Sequence, residues 1–152
     1  MIPKNNSCTT SNDYICFTDG AYSSSRNQGG VGIIILKGDK EILHYSNMYK
    51  NTSNNQMELG AVIIALRLIK KHINSLTIYS DSMYVIGCIT LGWKRIKNRI
   101  MWEEFDKQYN RVMELCPNIQ LIHVKGHQKG DSILEKYNNL VDELAVKASQ
   151  RL

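Results

Sequence analysis

Four carboxylates in this sequence sit where a catalytic group would be placed. Asp19 closes the apolar run "ICFT" and is followed at once by Gly20. Glu58 heads the stripe Ala61, Val62 and Ala65, Asp81 closes "LTIYS", and Asp142 lies near the predicted start of the last helix. Strand alternation puts Asp19 on the side of Ile15 and Phe17, where a carboxylate without a partner is costly. Taken singly, each has a local explanation. Asp19 can open a turn with Gly20, Asp81 can cap the helix after it, and Asp142 can favour the positive end of its helix. Glu58 can be a solvated helix residue, although an apolar stripe argues against it. Taken together they suggest a site. If the strands of Asp19 and Asp81 are parallel neighbours, both side chains emerge at one sheet edge, where ligands of α/β sheets collect. Clustered carboxylates repel one another and need protons or a counterion. Mg²⁺ prefers oxygen ligands, and three or four carboxylates suit two such ions roughly 3.5–4 Å apart. Activating a water and stabilising a leaving alkoxide at such a centre is the chemistry of in-line phosphodiester hydrolysis.

The elements that must position these groups can be read from periodicity and turn residues. Tyr14 to Thr18, "VGIIILK" and Glu41 to Tyr49 read as three strands joined by turns at "NQGG" and "GDK". "SNNQMELGAVIIALRLIKKHI" predicts a helix whose start carries the capping-box spacing Ser53 to Gln56. "SLTIYSDS" reads as a strand, "MYVIGCIT" as a short helix, and Met101 to Cys116 as an amphipathic helix stopped by Pro117. "IQLIHV" is a last strand, and "NNLVDELAVKASQ" is a closing helix after a polar loop. The order βββαβααβα implies an α/β fold, a mixed sheet with helices packed on it.

A chain of 152 residues suits one domain. The boundaries expected are a flexible tail over residues 1–12 and a domain over 13–152. No apolar run is long enough to span a bilayer, and the polar start "MIPKNNSCTTSND" has no apolar signal core. No membrane partner is expected. Cys8, Cys16, Cys88 and Cys116 form no C-x-x-C pair. That spacing points to an intracellular, reducing compartment, cytoplasm or nucleus, rather than a disulfide framework. The net charge of +5 leans towards a polyanionic partner.

The stretches "FTDGAY", "GGVGI", "SNNQMELGAVIIAL", "IYSDSMYV", "HVKGH" and "NNLVDELA" follow one another in an order that resembles the type 1 ribonuclease H family, over about residues 13 to 150. The resemblance implies a ribonuclease H-like fold, a five-stranded mixed sheet flanked by helices. It implies endonucleolytic cleavage of the RNA strand of RNA–DNA hybrids with two Mg²⁺ ions, which Mn²⁺ can replace, leaving 5′-phosphate and 3′-hydroxyl ends. Asp19, Glu58, Asp81 and Asp142 then correspond to the metal-binding catalytic carboxylates. His127 corresponds to a mobile loop histidine that assists proton transfer or product release; without the motif it would read as a solvated loop residue. Asn54 and Asn55 resemble a pair that contacts the minor groove, where amides suit 2′-hydroxyls and base edges; the alternative is that they only help the helix start. Tyr84 resembles a residue near the DNA strand backbone, or is a half-buried helix tyrosine. Met83 stands where a hydrogen-bonding side chain is common, which removes a polar substrate contact.

Two intervals depart from the family pattern. Where many members carry a long basic protrusion, this chain has only "LGWKRIKNR", Leu91 to Arg99. Lys94 and Arg95, with Lys97, Arg99 and Trp93, make either a reduced phosphate-gripping patch or a solvated basic turn. Weaker hybrid binding than in members with the full protrusion is expected. The segment "QKGDSILEKYNNLV" after His127 looks longer than usual. Two other readings remain: a non-catalytic module binding hybrids or double-stranded RNA, and the ribonuclease H domain of a reverse transcriptase. A degenerate module would be expected to lose an acidic ligand, and none is lost. The missing protrusion is compatible with a polymerase partner, whereas Met1 and the tail favour a free-standing protein, expected to be a monomer.

Overall fold

The computed structural model describes residues 12–126, 130 and 132–152. The expected tail lies almost wholly outside them, as does His127. The elements are β1 (Asp13–Ser23), β2 (Gln28–Lys37), β3 (Lys40–Lys50), α1 (Asn54–Arg67), β4 (Ser75–Ser80), α2 (Met83–Thr90), α3 (Arg99–Met113), β5 (Asn118–His123) and α4 (Ile133–Ser149). They form the expected five-stranded mixed sheet in the order β3-β2-β1-β4-β5. β2 runs antiparallel to both β1 and β3, while β4 runs parallel to β1 and β5 parallel to β4. Hairpins can make the first two pairings; the parallel ones need the helical crossovers that the sequence supplies.

β2 is buried from Gln28 to Leu36 because both faces of the sheet are covered. On one face Cys16, Val31 and Ile33 pack with Leu59, Val62 and Leu66 of α1 and with Trp102 and Phe105 of α3. On the other, Phe17, Ile34 and Leu36 pack with Tyr137 and Val141 of α4. Each such aliphatic side chain contributes about 1.5–3 kcal/mol by leaving water. The glycines of "GGVGI" set how closely α4 lies on the sheet. A Cβ on Gly32 would strike the Val141 carbonyl oxygen, and one on Gly30 the Ala145 carbonyl oxygen.

Several element boundaries differ from those expected. β1 continues past Thr18 to Ser23, because its pairing with β2 runs on to Ser23 opposite Gln28. Asp19 therefore lies inside a strand, and Gly20 opens no turn. α1 ends at Arg67, so Lys70 and Lys71 lie beyond the helix. α3 covers Arg99–Met113 rather than Met101 to Cys116. α4 begins at Ile133, where Ser132 accepts from the Glu135 N–H and so caps the helix. The stretch "ILEKY", expected to be loop, forms its first turns, which puts Asp142 in mid-helix, away from the positive end. Among the described residues, no helix is long and apolar enough to cross a membrane.

Candidate active site

The parallel pairing of β1 with β4 stops at Phe17 opposite Tyr79, while β1 continues alongside β2 alone. The crevice so opened receives Asp19 from β1 and Asp81 from just beyond β4. Ser82, not Asp81, caps α2: its side chain accepts from the Val85 N–H at 3.1 Å. Asp81 is thus released from the capping role that its position in the chain suggested. Glu58 enters from α1, whose start is fixed by Ser53 accepting from the Gln56 N–H. The first turn of α1 lies so close to β1 that a Cβ on Gly20 would strike the backbone of Met57 and Glu58. Glycine is required there by close approach, not by a turn. Its N–H donates to both Asp19 Oδ1 at 2.8 Å and Glu58 Oε1 at 2.9 Å.

Asp19, Glu58 and Asp81 each bring a carboxylate oxygen within 4.8 Å of the other two. Asp19 and Glu58 are buried, at 3 % and 8 % exposure. Asp142, on α4, approaches from the other side and hydrogen-bonds with Asp19. Burial, reinforced by the charges of Glu58 and Asp81, pushes the Asp19 carboxyl up to about 11. Burial also pushes Glu58 up to about 7, against a hydrogen bond with Asp19 that favours its charged form. Both carboxyls are pushed the same way, so with no cation nearby the Asp19–Glu58 pair holds on to a proton. Asp81 Oδ1 is buried and has no hydrogen-bond partner among the described residues. An orphaned carboxylate oxygen beside two others, all of them hard anionic donors, fits a divalent cation that takes oxygen ligands.

The model of the family described as RNase H matches residues 11–150, a span that takes in all nine elements. The chain belongs to the ribonuclease H family. A ribonuclease H of Trichodesmium erythraeum (strain IMS101) is 36% identical over 145 residues, covering 90% of this chain and 88% of that one. Among solved structures, LC11-RNase H1 in complex with RNA/DNA hybrid superposes with a TM-score of 0.67 at 23% identity, covering 90% of this chain and 96% of that one. The prototype foamy virus protease-reverse transcriptase superposes with a TM-score of 0.75 at 24% identity. That match covers 92% of this chain but only 21% of the viral one. These two likenesses concern the fold.

The other expected site residues lie at the start of α1, at the start of α2 and in the turn between α2 and α3. Asn54 and Asn55 form the exposed start of α1, two and one residues before Gln56 and close along the helix to Glu58. Met83 is 42% exposed at the start of α2. Tyr84 is half-buried; its hydroxyl accepts from Asn98 Nδ2 at 3.0 Å and from Trp102 Nε1 at 2.9 Å. Lys94 is exposed. Arg95 lies 4.4 Å over the Trp102 ring and donates to both oxygens of Asp106 at 2.8 and 2.9 Å. Its charge is therefore already matched, and Lys94 and Lys97 are the more available cations of that turn. The Gly20 N–H is a site group that the sequence reading missed. Its signal was the Asp-Gly pair, which resembles a turn until a helix is placed against it.

Proposed function

We propose that this chain hydrolyses the RNA strand of RNA–DNA hybrids with two Mg²⁺ ions, replaceable by Mn²⁺, leaving 5′-phosphate and 3′-hydroxyl ends. The observation that carries the reading is the convergence of Asp19, Glu58 and Asp81 oxygens within 4.8 Å, with the buried Asp81 Oδ1 left unpaired. Asp19, Glu58, Asp81 and Asp142 would hold the ions. Divalent cations bound there would supply an activated water and charge neutralisation at the leaving oxygen. The chain's own groups do the rest. The Gly20 N–H keeps Asp19 and Glu58 aimed into the crevice. Asn54 and Asn55 offer amides to 2′-hydroxyls and base edges in the minor groove. Tyr84 and Lys94 face the DNA strand, and His127 assists proton transfer or product release.

The intact acidic set argues against a non-catalytic binding module. The likeness to a reverse transcriptase supports a second context for the same chemistry, a domain that works beside a polymerase. The working form is proposed to be a monomer in a reducing intracellular compartment, cytoplasm or nucleus, in keeping with the unpaired, buried Cys16, Cys88 and Cys116. A gel assay on labelled hybrid, duplex RNA and duplex DNA, with and without Mg²⁺, tests the reading. RNA fragments should arise from the hybrid alone and only with the cation. Equal cutting of duplex DNA, or full activity in chelator, would overturn it. Cleavage only after a polymerase domain is added would favour the second context.

A further inference from the structure

The last parallel rung between β1 and β4 joins Phe17 to Tyr79, and beyond it each segment runs on to a carboxylate, Asp19 on one side and Asp81 on the other. A side chain spans the gap at that point. Thr18 Oγ1 donates to the Tyr79 carbonyl oxygen at 2.9 Å. Thr18 is 1 % exposed, and a buried hydroxyl that lost its partner would be costly. Its β-branched side chain is stiff at χ1, so the bond holds a fixed distance between the two strands. The residues flanking Asp81 are pinned as well. The Ser80 carbonyl oxygen accepts from the Val124 N–H at 2.9 Å, and the buried Ser80 hydroxyl accepts from the Ser82 N–H at 3.1 Å. Those bonds tie Asp81 to the end of β5 and the start of α2. The Thr18 bond ties the same segment to β1, the strand that carries Asp19.

Asp19 and Asp81 repel each other when both are charged, and that repulsion acts to spread the mouth of the crevice. A strut at its base opposes the spreading before any cation arrives. Ligands held in place beforehand bind more tightly, because less ordering remains to be done on binding. We infer that Thr18 is a positioning residue, its hydroxyl bond to the Tyr79 carbonyl setting the separation of Asp19 and Asp81 and thereby the affinity of the crevice for a divalent cation. The inference rests on the proposed cation site and assigns Thr18 no contact with ion or substrate.

The test compares the wild-type chain with Thr18→Val and Thr18→Ala, which remove the hydroxyl, and with Thr18→Ser, which keeps it. Mn²⁺ binding to the hybrid-free protein is followed by loss of the free-ion electron paramagnetic resonance signal. Thermal melts without metal report stability, and cleavage of a labelled hybrid is measured across a Mg²⁺ series. Thr18→Val and Thr18→Ala should raise the Mn²⁺ dissociation constant and the half-saturating Mg²⁺ concentration about fivefold, as expected for one lost neutral hydrogen bond. Cleavage should recover as Mg²⁺ is raised. Thr18→Ser should match the wild type in both cation readouts. A lowered melting temperature with cation affinity unchanged would make the bond purely structural and overturn the inference. So would Thr18→Ser behaving like Thr18→Val, or failure of both hydroxyl-free variants to fold. A wild-type chain that takes up no Mn²⁺ would instead remove the cation site, and this inference with it.

Discussion

At the residue scale, the acidic cluster is electrostatically unfavourable for the protein by itself and favourable only with a cation. Burial opposes charge on Asp19 and Glu58, and the charge on Asp81 pushes both the same way. Asp81→Asn should therefore leave the metal-free fold at least as stable in a thermal melt. It should nonetheless lower kcat on the order of 10³-fold or more, because a ligand charge is lost. Activity within tenfold of wild type would place the cation elsewhere. These carboxylates were legible in the sequence because each ends or heads an apolar run, where a solvated acid has no reason to stand. The Gly20 N–H was not legible, because its role depends on the distance between α1 and β1. Nor was the use of Gln56, which has the spacing to close a capping box with Ser53 but instead donates through Nε2 to Asn98 Oδ1 at 3.1 Å.

At the element scale, the strands and short α2 followed from alternation and turn chemistry, and the parallel pairing that unites Asp19 with Asp81 followed from the crossovers. The ends of β1 and α4 did not. Gly20 and Ala21 carry no alternating apolar signal, although antiparallel pairing continues through them. The first turn of α4 exposes Ile133 at 61% and Leu134 at 40%, so its apolar residues mark no buried face. The Ser132–Glu135 spacing was its only start signal. The placement of α4 also explains why "GGVGI" matters to the site: Gly32 meets Val141, the neighbour of Asp142. Gly32→Ala should cost about 1–3 kcal/mol in denaturant unfolding as the helix is pushed off the sheet. It should also lower activity by displacing Asp142. Unchanged stability would mean that α4 rides more loosely on β2 than its packing implies.

At the scale of the whole molecule, the site links stability to pH and to cations. Glu58 rises from 4.5 unfolded to about 7 folded, and Asp19 rises further still. The native state then binds more protons than the unfolded chain above about pH 4.5, so stability is highest below that value and falls as pH rises through about 7. The metal-free protein should melt at a lower temperature at about pH 8 than at about pH 5. Mg²⁺ displaces those protons, so it should raise Tm more at the higher pH; a cation effect that is flat with pH would contradict the linkage. The central claim is that the crevice between β1, β4 and α1 is a divalent cation site. Its most direct test is a crystal of the chain with bound hybrid, soaked in Mn²⁺ and measured at the manganese edge. Anomalous density between the Asp19, Glu58 and Asp81 carboxylates is the expected result. An ordered hybrid in a crevice that holds no ion, or ions bound only at other sites, would contradict it.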